Sequence, residues 1–496
     1  MPGPNTVRGR PLRVTVTGGG PVGLAFALLL ESLVSGDVSI AVHDARWTEE
    51  HGRIVWKGER QQNARRYQVV TIQSRHYLRL PQEVRDRVFQ EGHYSEMWPQ
   101  GPDSISGCGP RNVRIAHFED QLLALANEKS GRIQLIPRRF DPHDSADSDS
   151  GPATLEDCHA LVICEGAHSS TRDFFAKQFG RGDTSLYSVG GNHVHDVILG
   201  LRVKSDLPDP MVVLLTIAQN RFLLNTLDGD GYLNMRLTDD EADEAFGFDP
   251  GDPDFKDVSD LVCERSPLWT RMQGGLKLFA IKEENVGAMT AFRLAMVHRP
   301  RFTALLYPPT QKTPGTFGFL LGDAANAIHF WPGRGLNSGI ASAISLARCM
   351  TMRWRGHGFR EADFTRHEGM MAMLQYRHKN RAWRAMVTTD ETGNPCEIKN
   401  KIKQTLIERE RRMICTKDAD LDQLMSRLRH IRSRLSRRMS GLPDDETLRA
   451  HLSTLDGDTL RTLVVSEPWD TFSTGGEEVD VDLLFSQSAS PISAIT

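Results

Sequence analysis

Runs of apolar positions divide the chain into stretches of different kind. Leu12 to Thr17 (LRVTVT) has the length and β-branched content of a buried strand, and after three glycines an apolar stretch from Pro21 to Leu33 reads as a helix. A second strand, Val38 to His43, follows Gly36 and Asp37. Ala160 to Cys164 and Phe317 to Leu321 read as two further strands, ending in Glu165-Gly166 and in Gly322-Asp323. Between residues 185 and 310 the pattern turns to short strands at 197–203 (VILGLRV), 211–215 (MVVLL), 221–225 (RFLLN) and 231–237 (GYLNMRL), which predict a separate, largely antiparallel sheet.

From Leu336 onward helical periodicity dominates. Beyond Asn394-Pro395, Leu421, Leu424, Leu428, Ile431 and Leu435 are spaced 3, 4, 3, 4, a short heptad seam. Lys401 to Arg438 holds twelve Lys/Arg against five Asp/Glu. This reads as helices packed on their own protein with a solvated basic face, and a homodimer contact through them or an anionic partner stays open. The expected organisation is α/β, with one domain from 1–184 and 311–392, an inserted sheet domain at 185–310, and a helical C-terminal region at 393–496 with an acidic tail.

The bulk numbers narrow the class without choosing a function. A chain of 496 residues with 39% hydrophobic and 25% charged residues is long enough for two or three cores. A net charge of -4 gives no reason to expect a nucleic-acid partner. The polar start MPGPNTVRGR is not a signal peptide, and the apolar run from Pro21 to Leu30 is too short to span a bilayer, so neither export nor a membrane is expected. The seven cysteines have neither zinc-site nor disulfide-scaffold spacing; they are expected to be mostly buried thiols in the reducing compartment of a cytoplasmic protein without a metal.

Candidate chemistry begins at residues 18 to 23, GGGPVG. Gly18, Gly20 and Gly23 stand in the spacing G-x-G-x-x-G between a strand and a helix, which suits a tight turn, close approach to a pyrophosphate, and close helix packing. Asp44 lies at the end of the second strand, where a carboxylate can accept hydrogen bonds from ribose hydroxyls. The fingerprint alone leaves FAD and NAD(P) both open.

Two later segments, ALVICEGAHSSTR at 160–172 and GFLLGDAANAIHFWPGRGLNSG at 318–339, carry a resemblance. With the glycine fingerprint they resemble the three ordered motifs of the class A FAD-dependent monooxygenases, the family of para-hydroxybenzoate hydroxylase and kynurenine monooxygenase, over about residues 12 to 385. The resemblance implies a Rossmann-like FAD-binding domain carrying an inserted substrate sheet. In the second motif it makes Arg172 a candidate for a pyrophosphate or nicotinamide-phosphate contact, with Glu165 standing where the family has Asp. In the third, Gly322 and Asp323 match the ribityl-binding turn. Gly333, Gly335 and Asn337 match the turn against the isoalloxazine, and Arg334 adds a positive charge beside them. Asn326 replaces a usual His, Ser342 a common Asp, and His329, a substrate-side candidate, stands where proline is usual.

The resemblance further implies that NAD(P)H reduces the FAD and that O2 is activated as a flavin C4a-hydroperoxide, with no catalytic triad. The substrate pocket is expected between the FAD domain and the inserted sheet. Alternation puts Tyr232, Asn234 and Arg236 on one face of their strand, and Arg293 on a face with the small Ala291 and Ala295. A small, anionic substrate held by one of these arginines is the expectation, with ring-carbon hydroxylation favoured and N-oxygenation of an amine or amino acid as runner-up. A flavin-dependent dehydrogenase or reductase is the reading of another class, and a non-catalytic nucleotide-binding protein a third.

Overall fold

The computed structural model describes residues 11–34, 36–61, 63, 65–96, 108–143, 158–246, 255–257, 267–311, 313–327, 335–356, 358–411 and 417–468. The first part runs β1 (Leu12–Thr17), α1 (Pro21–Leu33), β2 (Val38–His43), α2 (Ile115–Glu128), β3 (Ile133–Ile136) and β4 (Ala160–Ile163). The middle part runs β5 (His195–Ser205), α3 (Asp209–Ile217), β6 (Phe222–Leu227), β7 (Asp230–Arg236), β8 (Phe255–Asp257) and β9 (Ile281–Ala295). The remainder runs β10 (Thr303–Tyr307), β11 (Thr316–Leu320), α4 (Gly322–Asn326), α5 (Gly335–Arg353), α6 (Thr365–Met386) and α7 (Lys417–Leu435).

A six-stranded sheet has the order β10-β11-β4-β1-β2-β3. Its inner pairings are parallel, with Val14 opposite both Ile40 and Ala160, and only β10 runs antiparallel at the edge. β4 and β11 are buried along their whole length, whereas β1, β2 and β3 alternate buried with partly exposed positions; Val14, Val16, Ile40, Val42, Leu161 and Val162 are all buried in the first core. β1 lies between β2, which follows it through α1, and β4, so the chain order reverses there. In open α/β sheets the crevice at the carboxyl ends of such strands is where ligands bind.

The second sheet, β6-β7-β5-β9-β8, is antiparallel throughout, with Gly200 of β5 facing Asn234 on one side and Thr290 on the other. Leu199, Leu201, Leu233, Met235 and Ala291 point to one face and bury against α3, helix Pro267–Leu278, α7 and helices Asp445–Ser453 and Gly457–Val465. The C-terminal helices therefore share a core with the sheet instead of forming a separate region. All five apolar seam positions, Leu421 to Leu435, are used inside the chain.

Two expectations are corrected. Residues 211–215 are helix, not strand: Asp209 and Pro210 open α3 in its first turn, and its apolar run is buried on nearly every side, which hides the helical period. Thr303–Tyr307, assigned by position to the inserted domain, pairs with β11 in the first sheet. The acidic tail from 469 lies outside the described residues, as do His329, Gly333 and Arg334. Among the described residues no helix is long and apolar enough to cross a membrane.

Candidate functional site

Three strand-to-helix turns meet at the carboxyl ends of β1, β4 and β11. At the first, Gly18 holds φ +92°, and a Cβ there would stand 2.5 Å from the Cys164 carbonyl oxygen. Similarly, a Cβ on Gly19 would run into the Trp47 ring, and one on Gly23 would stand 2.1 Å from the Gly18 carbonyl oxygen. These three glycines are demanded by the protein's own packing. Gly20 differs: its backbone is extended at φ -72° and ψ -172°, and a Cβ would meet only the ends of two guanidinium groups, Arg46 Nη2 at 3.3 Å and Arg66 Nη2 at 3.4 Å.

Gly20 is the N-cap of α1, whose start has no side-chain cap. Helix amides and a positive dipole end thus open beside two arginines, the arrangement that binds a phosphate. Both arginines are aimed by buried acids. Arg46 pairs with Asp44 at 2.7 Å and approaches Glu119 of α2 at 3.7 Å, and Arg66 bonds the same Glu119. Asp44 also accepts the Gly19 amide at 2.8 Å, so its carboxylate fastens the glycine turn as well as facing the cavity.

At the third turn Gly322, at φ +57°, packs on Val22 of α1, and a Cβ on Gly339 of α5 would stand 2.3 Å from the same valine. That close crossing brings the starts of α1 and α5 to one place. Asp323 is exposed where it opens into the cavity; partial desolvation by the surrounding protein raises its pKa, and Arg66 opposes the rise. His43, edge-on to Phe140 at 5.3 Å, has its pKa lowered to about 4 by burial and by Arg138, so it is a neutral wall at neutral pH.

These turns line one end of a cavity of about 580 Å³, within the range of small-molecule and cofactor sites. The other end is the second face of the antiparallel sheet, contributing Leu223, Asn225, Tyr232, Asn234 and Phe292. Of the residues singled out in the sequence, Gly18, Gly20, Asp44, Gly322, Asp323, Gly335, Tyr232 and Asn234 line it. Gly23 lies behind it, in the helix-strand contact.

Four others are elsewhere. Arg236 is fully buried in an ion pair with Asp196 at 2.9 Å and donates to the Ala385 carbonyl of α6. Arg293 follows Phe292 on β9 and so projects from the opposite face, beside His195, Val197 and Asp239. The anionic-substrate expectation loses both of its anchors. Arg172 donates to the Ala167 and Ala324 carbonyls at 2.8 and 3.4 Å, tying the second turn to α4, and is not at the cavity. Asn337 accepts from the Gln73 amide and donates to the Thr71 carbonyl, both at 2.8 Å, and staples α5 to strand Val69–Ile72.

Sequence reasoning singled out neither Arg46, Glu119, Asn225 nor Phe292 as functional. For Arg46 a signal existed: a cation two residues past the strand-end acid stands at the mouth of the glycine turn. Glu165, the second-motif departure, accepts from Ser169 Oγ and Thr171 Oγ1, both at 2.7 Å, and so fixes the following helical turn.

The structure is similar to several solved ones. These include 2-methyl-3-hydroxypyridine-5-carboxylic acid oxygenase in a tetrameric form, with 16% identity, 76% of this chain and 92% of that chain covered, and a TM-score of 0.46. They also include p-nitrophenol 4-monooxygenase from Pseudomonas putida (14%, 76% and 88%, 0.46). A third is 2,6-dihydroxypyridine-3-hydroxylase from Arthrobacter nicotinovorans (12%, 76% and 92%, 0.46). No family model matches the chain, and no curated protein matches it in sequence. At these identities and TM-scores the functional reading rests on the chain's own residues.

Proposed function

We propose that the chain is a FAD-dependent monooxygenase that uses NAD(P)H and O2 to insert one oxygen atom into a small organic substrate, with hydroxylation of a ring carbon favoured. The observation that carries this reading is the single cavity joining the glycine turn to the sheet. A nucleotide-binding module needs only the first end, whereas an enzyme acting on a second molecule needs both.

The residues present fit FAD. Gly20 leaves room where a Cβ would fill the cradle, and the uncapped start of α1 with Arg46 and Arg66 suits a pyrophosphate. Asp323 suits the ribityl hydroxyls, and the start of α5 at Gly335 and Leu336 suits the electron-rich edge of the ring. The chemistry supplied when FAD is bound is hydride acceptance from NAD(P)H and activation of O2. The chain contributes orientation and dryness: Val69, Val70, Leu223 and Phe292 line the region between the turns and the sheet face with apolar surface.

The test is purification followed by NADH and NADPH oxidation with a substrate library under isotopically labelled O2. A yellow protein that places one labelled oxygen in product is expected, on carbon for ring hydroxylation and on nitrogen for an amine. A yellow protein that oxidises a substrate without label is a dehydrogenase, and a colourless one overturns the flavin reading.

A further inference from the structure

The two ends of the cavity differ in charge. Among the described residues, Asp44, Arg46, Arg66, Arg139, Glu165 and Asp323 supply its ionisable carboxylates and guanidiniums, and all come from the nucleotide half. The sheet contributes Leu223, Asn225, Tyr232, Asn234 and Phe292, none of them charged. Among the described residues, the three sheet arginines that could alter this are committed elsewhere. Arg236 is buried against Asp196, and Arg293 projects from the other face. Arg202, on the same face as Tyr232, stacks over the Tyr67 ring at 4.7 Å and does not line the cavity.

Gly200 shapes this end. A Cβ on it would stand 2.5 Å from Tyr232 Cε1 and 3.2 Å from Asn234 Oδ1. Its absence lets Tyr232 of β7 lie flat across β5, and the Tyr232 hydroxyl shares a 2.8 Å hydrogen bond with Thr290 Oγ1 on β9. Tyr232 therefore forms a floor, with the Asn234 and Asn225 amides beside it and Phe292 and Leu223 as apolar walls. A primary amide both donates and accepts, and here each spends a donor on a backbone carbonyl: Asn234 on Tyr232 at 3.3 Å, Asn225 on Val69 at 3.5 Å. A carboxylate seated on such a face would lose its water without gaining a counter-ion, which is costly.

We propose that this face selects an uncharged substrate carrying hydrogen-bonding groups, with Asn234 and Asn225 as specificity-determining residues and Gly200 setting the depth of the pocket. As a statement about the oxygenated substrate, it rests on the flavin reading above.

The experiment compares two probes that differ only in charge, 4-hydroxybenzamide and 4-hydroxybenzoate, by calorimetric titration of the purified full chain supplied with FAD. The amide is expected to bind about tenfold tighter or more. Asn234→Leu should erase that preference, Asn234→Gln should keep part of it, and Asn234→Lys should turn it toward the carboxylate. Gly200→Ala, which pushes Tyr232 into the cavity, should weaken both probes, while Arg293→Ala should leave both affinities within about twofold of wild type. Melting followed by circular dichroism identifies variants that fail to fold, and Asn234→Gln is the variant least exposed to that failure.

Tighter or equal binding of the carboxylate, binding of neither probe, or a loss on Arg293→Ala overturns the inference. Flavin absorbance of the same protein after desalting is scored separately. A yellow protein that prefers the carboxylate overturns this inference alone, and a colourless one that prefers the amide upholds the selectivity while overturning the flavin reading.

Discussion

Arg236 is the residue at which a substrate role and a structural role make opposite forecasts. Its guanidinium is 0% exposed and pairs with Asp196, itself 1% exposed, at 2.9 Å. At that distance and an effective dielectric of about 20 the gross attraction is roughly 6 kcal/mol, which desolvation of both ions largely offsets. Arg236→Met removes one ion and strands the Asp196 carboxylate inside the protein, which should cost about 3–5 kcal/mol. Adding Asp196→Leu takes away the stranded charge too, so the double variant should recover most of the loss, since well-packed apolar pairs commonly equal or exceed buried ion pairs. Urea unfolding of wild type, both single variants and the double variant reads the coupling directly. For a cooperative unit of this size the single variant should also melt roughly 6–20 °C lower, at about 2–4 °C per kcal/mol. Should Arg236→Met unfold within about 1 kcal/mol of wild type and instead raise the apparent substrate constant tenfold, the arginine faces substrate and the structural account is wrong.

Gly20→Ala should fold with near-normal stability and lose FAD, because its Cβ meets only movable guanidinium ends, and flavin absorbance after desalting reads it. Gly23→Ala forces a Cβ onto the Gly18 carbonyl and should lower stability by about 1–3 kcal/mol in urea, even without flavin. Asp323→Ala should keep the melting temperature while weakening FAD retention, as expected of a carboxylate that opens into the cavity. Burial holds His43 near a pKa of about 4 and His367 near about 3, against 6.5 when unfolded. The unfolded chain then binds more protons below pH 6.5, so stability is full above that pH and declines as pH falls toward 4. His43 accounts for about 3 kcal/mol of that decline at most, and a urea midpoint that stays flat from pH 7 to 4.5 would count against both assignments.

Where local periodicity and tertiary environment agree, the sequence anticipates the structure residue by residue. The strand Leu12–Thr17, helix Pro21–Leu33 and strand Val38–His43 have the predicted bounds, because the glycines at 18–20, Pro21 and Gly36 punctuate the segment and the apolar positions between them are buried. Met211 to Leu215 fails for a physical reason: five apolar residues buried on nearly all sides carry neither period 2 nor period 3.6. Arg172 and Asn337 match motif positions yet spend their polar groups on the backbone of neighbouring turns, and a motif does not state whether a polar group faces ligand or protein.

The two sheet arginines isolate what alternation can and cannot say. Alternation correctly puts Arg236 on the face of Tyr232 and Asn234, but a face is longer than a cavity. Asn234 reaches the open part, while two residues on the strand meets Asp196 and the end of α6, whose Ala385 carbonyl takes the guanidinium. For Arg293 the error is one of parity. Its neighbours Ala291 and Ala295 suggested an empty slot, yet Ala291 is small because it sits in the core that α3, helix Pro267–Leu278 and the C-terminal helices build against that face. Those C-terminal helices lie more than a hundred residues further along the chain, so no window around Arg293 contains the information that decides which way its strand is turned. Phe292, with the larger and less polar side chain, takes the ligand side instead. Which residues of this sheet line the cavity is thus set by long-range packing, and that is why two arginines that alternation alone offers to a ligand sit elsewhere once the sheet is assembled.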